Sequence, residues 1–122
     1  MVTRTSRIRT KRVYDLTGPD DGTRVLVMRL WPRGVRKDRI DLWLRELGPV
    51  TPLLRGFLGG RVGWAEYRRC YLAGLARPEA RAQLTELRGL ARQGPVTLLC
   101  RCPEESRCHR SLLKGHLAKR LL

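Results

Sequence analysis

The strongest constraint on the fold is a pair of short apolar runs standing on either side of a long helical middle. Residues 24–30 (Arg24-Val25-Leu26-Val27-Met28-Arg29-Leu30) are nearly continuously apolar, and Val96-Thr97-Leu98-Leu99-Cys100 repeats the pattern between Gly94-Pro95 and a polar loop. Runs of this length without a polar face fit strands covered on both sides, as in sheets with helical crossovers. Two such strands in one sheet, joined through helices, must run parallel and be linked right-handedly. With 122 residues the chain has enough length for one core and too little for two. The expected architecture is a single α/β domain over residues 1–122, small and Rossmann-like, with a short, mostly parallel sheet.

The remaining pattern fills in around those runs. Residues 7–13 alternate weakly and end in the turn-prone Thr17-Gly18-Pro19-Asp20-Asp21-Gly22, which suits an edge strand. Ile40, Trp43, Leu44 and Leu47 follow i, i+3, i+4, i+7 from Asp38, predicting a helix stopped by Gly48-Pro49. Thr51-Pro52 reads as a cap and first-turn proline opening a short helix that buries Leu53, Leu54, Phe57 and Leu58. A third helix follows Trp64, Tyr67, Tyr71 and Leu75, and a fourth Ala80, Leu84, Leu87 and Ala91. Leu113, Leu117 and Leu121 place a terminal helix from about Ser106 or Cys108 onward.

Charge narrows the partners. Lys and Arg number 26 against 11 acids, a formal +15, and both ends concentrate it: Arg4, Arg7, Arg9, Lys11 and Arg12, then Arg107, Arg110, Lys114, Lys119 and Arg120. Such a field attracts phosphate-bearing small molecules or nucleic acid with salt-dependent affinity. Arginine outnumbers lysine 22 to 4, a bias that a GC-rich genome also generates, so the charge has two possible origins. No apolar run approaches the roughly 20 residues of a membrane-spanning helix, and the basic first ten residues have no apolar stretch after them, so a cytoplasmic protein without a membrane partner is expected. The closely spaced Cys100, Cys102 and Cys108 are poorly placed for a stapling framework, which suggests thiols or ligands in a reducing compartment.

Ligands of parallel sheets bind beyond the carboxyl ends of the strands. Those ends are Arg29-Leu30-Trp31-Pro32-Arg33-Gly34 and Cys100-Arg101-Cys102-Pro103, so the two segments are expected to share one pocket mouth. Cys108-His109-Arg110 falls on the first turn of the last helix, where free backbone N–H groups and the dipole favour an anion and a thiolate. The leading reading is an anion site built from Arg29, Trp31, Arg33, Cys100, Arg101, Arg107 and Arg110, with Trp31 either stacking on the ligand or lying in the core. The competing reading is a small enzyme in which Cys108 is nucleophile or redox thiol, His109 a proton carrier and Arg110, with Arg33, the anion-stabilising group. Against it, adjacent helical residues point about 100° apart, which separates His109 from Cys108. A phosphatase-type Cys-x5-Arg loop is absent, since Ser106 and Cys108 stand six positions after Cys100 and Cys102.

A metal-binding or protein-interaction module is the third reading, with Cys100, Cys102, Cys108 and His109 as candidate donors. The Cys100-x-Cys102 spacing is not the paired Cys-x2–4-Cys knuckle that structural zinc sites use, so no metal is assigned, and no cofactor is expected. A Cys102–Cys108 redox pair is a minor option. His116 lies two turns beyond His109, too far to join it.

These residues also resemble a known family. Lys11-Arg12-Val13-Tyr14-Asp15, Asp21-Gly22-Thr23-Arg24-Val25-Leu26-Val27, Arg29-Leu30-Trp31-Pro32-Arg33-Gly34-Val35, Tyr67-Arg68-Arg69 with Tyr71, Pro95-Val96-Thr97-Leu98-Leu99 and the ending Cys100 through Cys108-His109-Arg110 are similar to the YeaO-like uncharacterised bacterial proteins, a branch of a wider family of unknown function. The resemblance implies a small Rossmann-like α/β domain and carries no activity with it. Met28 stands where relatives tend to have Asp before the Arg-Leu-Trp-Pro-Arg-Gly stretch, and Cys102 is outside the family pattern.

Overall fold

Val96–Cys100, buried at every position, is the strand around which the sheet is assembled. The computed structural model describes residues 8–121. Its strands are β1 (Ile8–Arg12), β2 (Thr23–Leu26), β3 (Leu42–Trp43) and β4 (Val96–Cys100), and its helices α1 (Thr51–Leu58), α2 (Trp64–Gly74), α3 (Pro78–Gln93) and α4 (His109–Leu121). All strand pairs are parallel, in the order β1-β4-β2-β3. β4 pairs with β1 from Ile8↔Val96 to Arg12↔Cys100 and with β2 from Thr23↔Val96 to Leu26↔Leu99. β1 is therefore an edge and β2 interior, as the hydrophobic pattern predicts. Arg4, Arg7 and the side chains of Arg120 and Leu121 lie outside the described residues.

Strand alternation sorts the core into two layers. Val25 and Val27 of the β2 line, with Val96 and Leu98 of β4, pack against Tyr71, Leu75, Ala80, Leu84, Leu87, Leu113 and Leu117 of α2, α3 and α4. Leu26 and Leu99 point the other way, onto Val13, Val35, Met28, Trp31, Ile40 and Trp43. The helices thus roof one face, while the other is covered by the irregular segment between β2 and β3 rather than by a second helical layer. No helix among the described residues is long and apolar enough to cross a membrane.

The helix expected from Asp38 is the main correction. Short 3-10 turns at Lys37–Arg39 and Arg45–Leu47 flank β3 instead. The reason is lateral pairing: Asp41 N–H donates to the Arg24 carbonyl (2.9 Å), Leu44 N–H donates to the Leu26 carbonyl (2.9 Å), and the Asp41 carboxylate accepts from Arg24 N–H at 2.8 Å. Trp43 and Leu44 then enter opposite layers, a period of two hidden inside spacing that also fits a helix. A smaller correction falls at α1, where Val50 occupies the cap position and Thr51 is already helical, without a side-chain cap.

Candidate functional site

Because Val96 and Leu98 face the helices, so does Cys100, the last residue of β4 and 5% exposed. The chain then turns through Glu105–Arg107 and reaches Cys108 in extended conformation (φ −134°, ψ 146°) before α4 starts at His109. Thr10 and Ser111 fasten that turn: the Thr10 hydroxyl bonds the Glu105 carboxylate, and the Ser111 hydroxyl the Glu105 carbonyl. Since Cys108 is not helical, the 100° separation expected between it and His109 does not apply. His109 Nδ1 lies 3.8 Å from Cys108 Sγ and 4.0 Å from Cys100 Sγ.

The imidazole is fixed from its other side. Nε2 stands 2.5 Å from the Val27 carbonyl oxygen, which can only accept, so Nε2 carries a proton and Nδ1 is the ring nitrogen turned to the two sulfurs. This bond joins the end of the β2 line to α4, but Trp31 does not share the place expected of it: it packs in the other layer, with Val35 and Trp43. Tyr71 packs edge-on against the ring at 5.5 Å between centroids and donates its hydroxyl to the Leu47 carbonyl at 2.7 Å. Burial holds that hydroxyl protonated, well above the ordinary tyrosine range.

The two thiols are coupled. A hydrogen bond from Cys108 holds Cys100 well below the usual thiol range against the cost of burial, and His109 adds to the effect. The same contact, with burial and the charge on Cys100, pushes Cys108 up. The pair therefore favours one thiolate and one thiol. Arg110, 2% exposed, donates Nη1 to the Cys102 carbonyl (2.7 Å) and lies 3.8 Å from Cys108 Sγ, while its buried Nε has no partner among the described residues.

Other expected site residues are placed differently. Arg29 is turned inward, donating to the carbonyls of Pro49 and Gly48 (3.1 Å each) and pairing with Glu46 at 3.2 Å. Trp31 lies edge-on to Trp43, 5.4 Å away, and donates its indole N–H to the Val35 carbonyl at 2.9 Å. Arg33, Arg101 and Arg107 are exposed. Two of them sit on tied loops: Tyr14 donates to the Arg33 carbonyl at 3.0 Å, and Arg12 to the Arg101 carbonyl at 3.5 Å. Cys102 leaves the thiol cluster and donates to the Glu104 carbonyl at 3.6 Å, because β4 ends at Cys100 and the chain has already turned away. Sequence reasoning missed the Val27 carbonyl, which no side-chain pattern can signal, and Tyr71, visible beforehand only as part of a helical stripe.

Chemically, two sulfurs and one imidazole lone pair within 4.8 Å of one another can support a nucleophile, a redox pair or a soft cation. Known proteins with related sequences extend this pattern without assigning a reaction. The uncharacterized protein YeaO of Escherichia coli (strain K12) is 40% identical over 112 residues, covering 90% of this chain and 96% of that protein. The uncharacterized proteins Rv3073c of Mycobacterium tuberculosis (strain ATCC 25618 / H37Rv) and Mb3100c of Mycobacterium bovis (strain ATCC BAA-935 / AF2122/97) are each 38% identical over 96 residues, covering 77% of this chain and 81% of theirs. No solved structure matches the chain. The family model DUF488-N3a, described as the active DUF488-N3 subclade, matches residues 8–121, and the chain belongs to that family.

Proposed function

We propose that this protein is a thiol-dependent enzyme whose nucleophile comes from the Cys100–Cys108 pair, with His109 Nδ1 as proton acceptor and an anionic, phosphate- or carboxylate-bearing substrate. The observation that carries the reading is the placement of one imidazole nitrogen at 3.8 and 4.0 Å from two buried sulfurs while the other nitrogen is committed to Val27. A nucleophilic thiol needs a base within reach and a third group that orients the base, and the Val27 carbonyl is that third group. The guanidinium of Arg110 beside Cys108 and the Arg110 backbone N–H bonded to the same sulfur favour negative charge there, and the start of α4 favours it on a bound substrate.

Exposed Arg33, Arg101 and Arg107 supply the charge that would draw an anion to this edge, a nucleotide or nucleic-acid phosphate included. Arg29 and Trp31, committed to Glu46 and the Val35 carbonyl, are given no part in holding the ligand. Thiol chemistry of this kind suits a reducing compartment such as the cytoplasm, and the family's description as an active subclade agrees with an enzyme.

The test is competitive labelling by iodoacetamide of metal-free protein, with the modified positions mapped by mass spectrometry. Cys100 or Cys108, though buried, is expected to alkylate faster than exposed Cys70, and His109→Gln to slow it. Fastest labelling at Cys70, with the buried pair inert, removes the thiol-enzyme reading.

A further inference from the structure

The same three donors have the shape of a coordination site. In a bound imidazole the second nitrogen almost always donates to a carbonyl or carboxylate, which fixes the tautomer and turns the first nitrogen's lone pair toward the metal. His109 already has that arrangement, with Nε2 on the Val27 carbonyl and Nδ1 facing the sulfurs. Metal–sulfur and metal–nitrogen bonds of about 2.3 and 2.0–2.1 Å leave neighbouring ligand atoms about 3.6 Å apart at a tetrahedral angle and about 3.8 Å apart at a trigonal one. The sulfur-to-nitrogen separations of 3.8 and 4.0 Å lie at or a few tenths of an ångström outside those edges. Side-chain adjustment alone covers the difference.

We infer that Cys100 Sγ, Cys108 Sγ and His109 Nδ1 bind a single thiophilic cation of the zinc type, and that occupancy silences the thiol. The donor set selects a soft or borderline ion over magnesium or calcium, which require oxygen. Three protein donors leave a further coordination position open. Burial of all three donors removes competing water, and the Arg110 guanidinium 3.8 Å from Cys108 Sγ offsets thiolate charge beyond what the cation neutralises. Cys102, bonded to Glu104 and outside the cluster, takes no part. The inference rests on the thiol reading for its consequence: sulfur lone pairs engaged by a cation are withdrawn from nucleophilic attack, so metal supply regulates the site.

Metal-free protein titrated with Co2+ is expected to develop a thiolate-to-metal charge-transfer absorption that saturates at one equivalent and is displaced by Zn2+. Cys100→Ser and Cys108→Ser each abolish that absorption, whereas Cys70→Ser and Cys102→Ser retain it. Cd-113 NMR of the unmutated protein reads the number of sulfur ligands directly, so the result does not hang on whether a serine variant folds. One equivalent of Zn2+ is expected to slow alkylation of the buried pair at least about tenfold, because its thiolate electrons are committed to the metal. Absence of the absorption, its loss in Cys102→Ser alone, or alkylation indifferent to Zn2+ overturns the inference. Fast alkylation of metal-free protein that binds no Co2+ leaves the thiol reading standing. Stoichiometric Co2+ binding by a protein whose thiols are inert removes that reading instead.

Discussion

Single residues set the tolerances of this fold, and Gly22 is the tightest. Its φ of +63° is left-handed, and a Cβ there falls 2.1 Å from the Pro95 carbonyl oxygen, the same oxygen that accepts from Thr23 N–H at 3.0 Å to start β2 beside β4. Gly22→Ala combines backbone strain with a backbone clash, so a loss of about 3 kcal/mol or more is expected in denaturant unfolding. Gly60 is also left-handed (φ +79°) but meets nothing within 4 Å, so Gly60→Ala should cost only the backbone strain, roughly 1 kcal/mol. Equal losses at both positions would show that the Pro95 contact is not what makes Gly22 necessary. Tyr71→Phe tests the hold on His109 from behind. Losing the hydroxyl leaves the Leu47 carbonyl short of a donor, at about 1–2 kcal/mol, while the ring that flanks the imidazole stays, so stability should fall with alkylation of the thiols little changed.

At the scale of elements, the strands are tied by Asp21, a buried carboxylate just before β2. Lys11 of β1 pairs with it at 2.8 Å, Arg24 of β2 reaches its other oxygen, Gly18 N–H donates at 3.1 Å, and Thr97 of β4 bonds the Asp21 carbonyl at 2.8 Å. Burial acts to raise the Asp21 carboxyl, but the hydrogen bonds from Lys11, Gly18 and Arg24 outweigh it and hold it below its ordinary 3.8. A carboxylate lowered by folding stabilises the native state above its unfolded pKa and loses that contribution as pH falls through its folded value. Acid unfolding should therefore steepen below about pH 4, and Asp21→Asn should flatten that limb while costing roughly 3 kcal/mol at neutral pH, where buried Arg24 and half-buried Lys11 lose their partner.

Elements defined by their own periodicity, α2, α3, α4 and the unbroken apolar β4, were legible in the sequence. β3 was not: two residues long, it exists because β2 offers its open edge, and nothing within residues 38–47 distinguishes that from a helical turn. The candidate site was half legible for a similar reason. Cys108, His109 and Arg110 stood out by type, but their partnership depended on Cys108 being extended, and the basic and aromatic side chains of the Arg29–Arg33 stretch looked like ligand contacts until Glu46, Gly48 and Pro49 claimed Arg29.

For the whole molecule, a net charge of +15 on 122 residues means self-repulsion that salt relieves. The Lys11–Asp21–Arg24 group is shielded, and the open pair Arg36–Asp38 contributes little, so screening at physiological ionic strength, over about 8 Å, should act mainly on the repulsion. The melting temperature is expected to rise between low and physiological salt, and calorimetry showing a fall would mean that attractive pairs dominate the surface.

The strand order has a consequence for biogenesis. β1 and β2 never touch through hydrogen bonds, since the strand that unites them is the last one made. A nascent chain halted at residue 95 carries two ribbons with the gap between them unfilled, and the first of these must wait for Val96–Cys100 to emerge before it has any neighbour. Closure at such sequence separation is slow and leaves apolar edges bare in the meantime. The cysteine that ends this late strand joins Cys108 and its neighbouring imidazole only after the sheet has locked, so assembly of the reactive cluster reports completion of the fold.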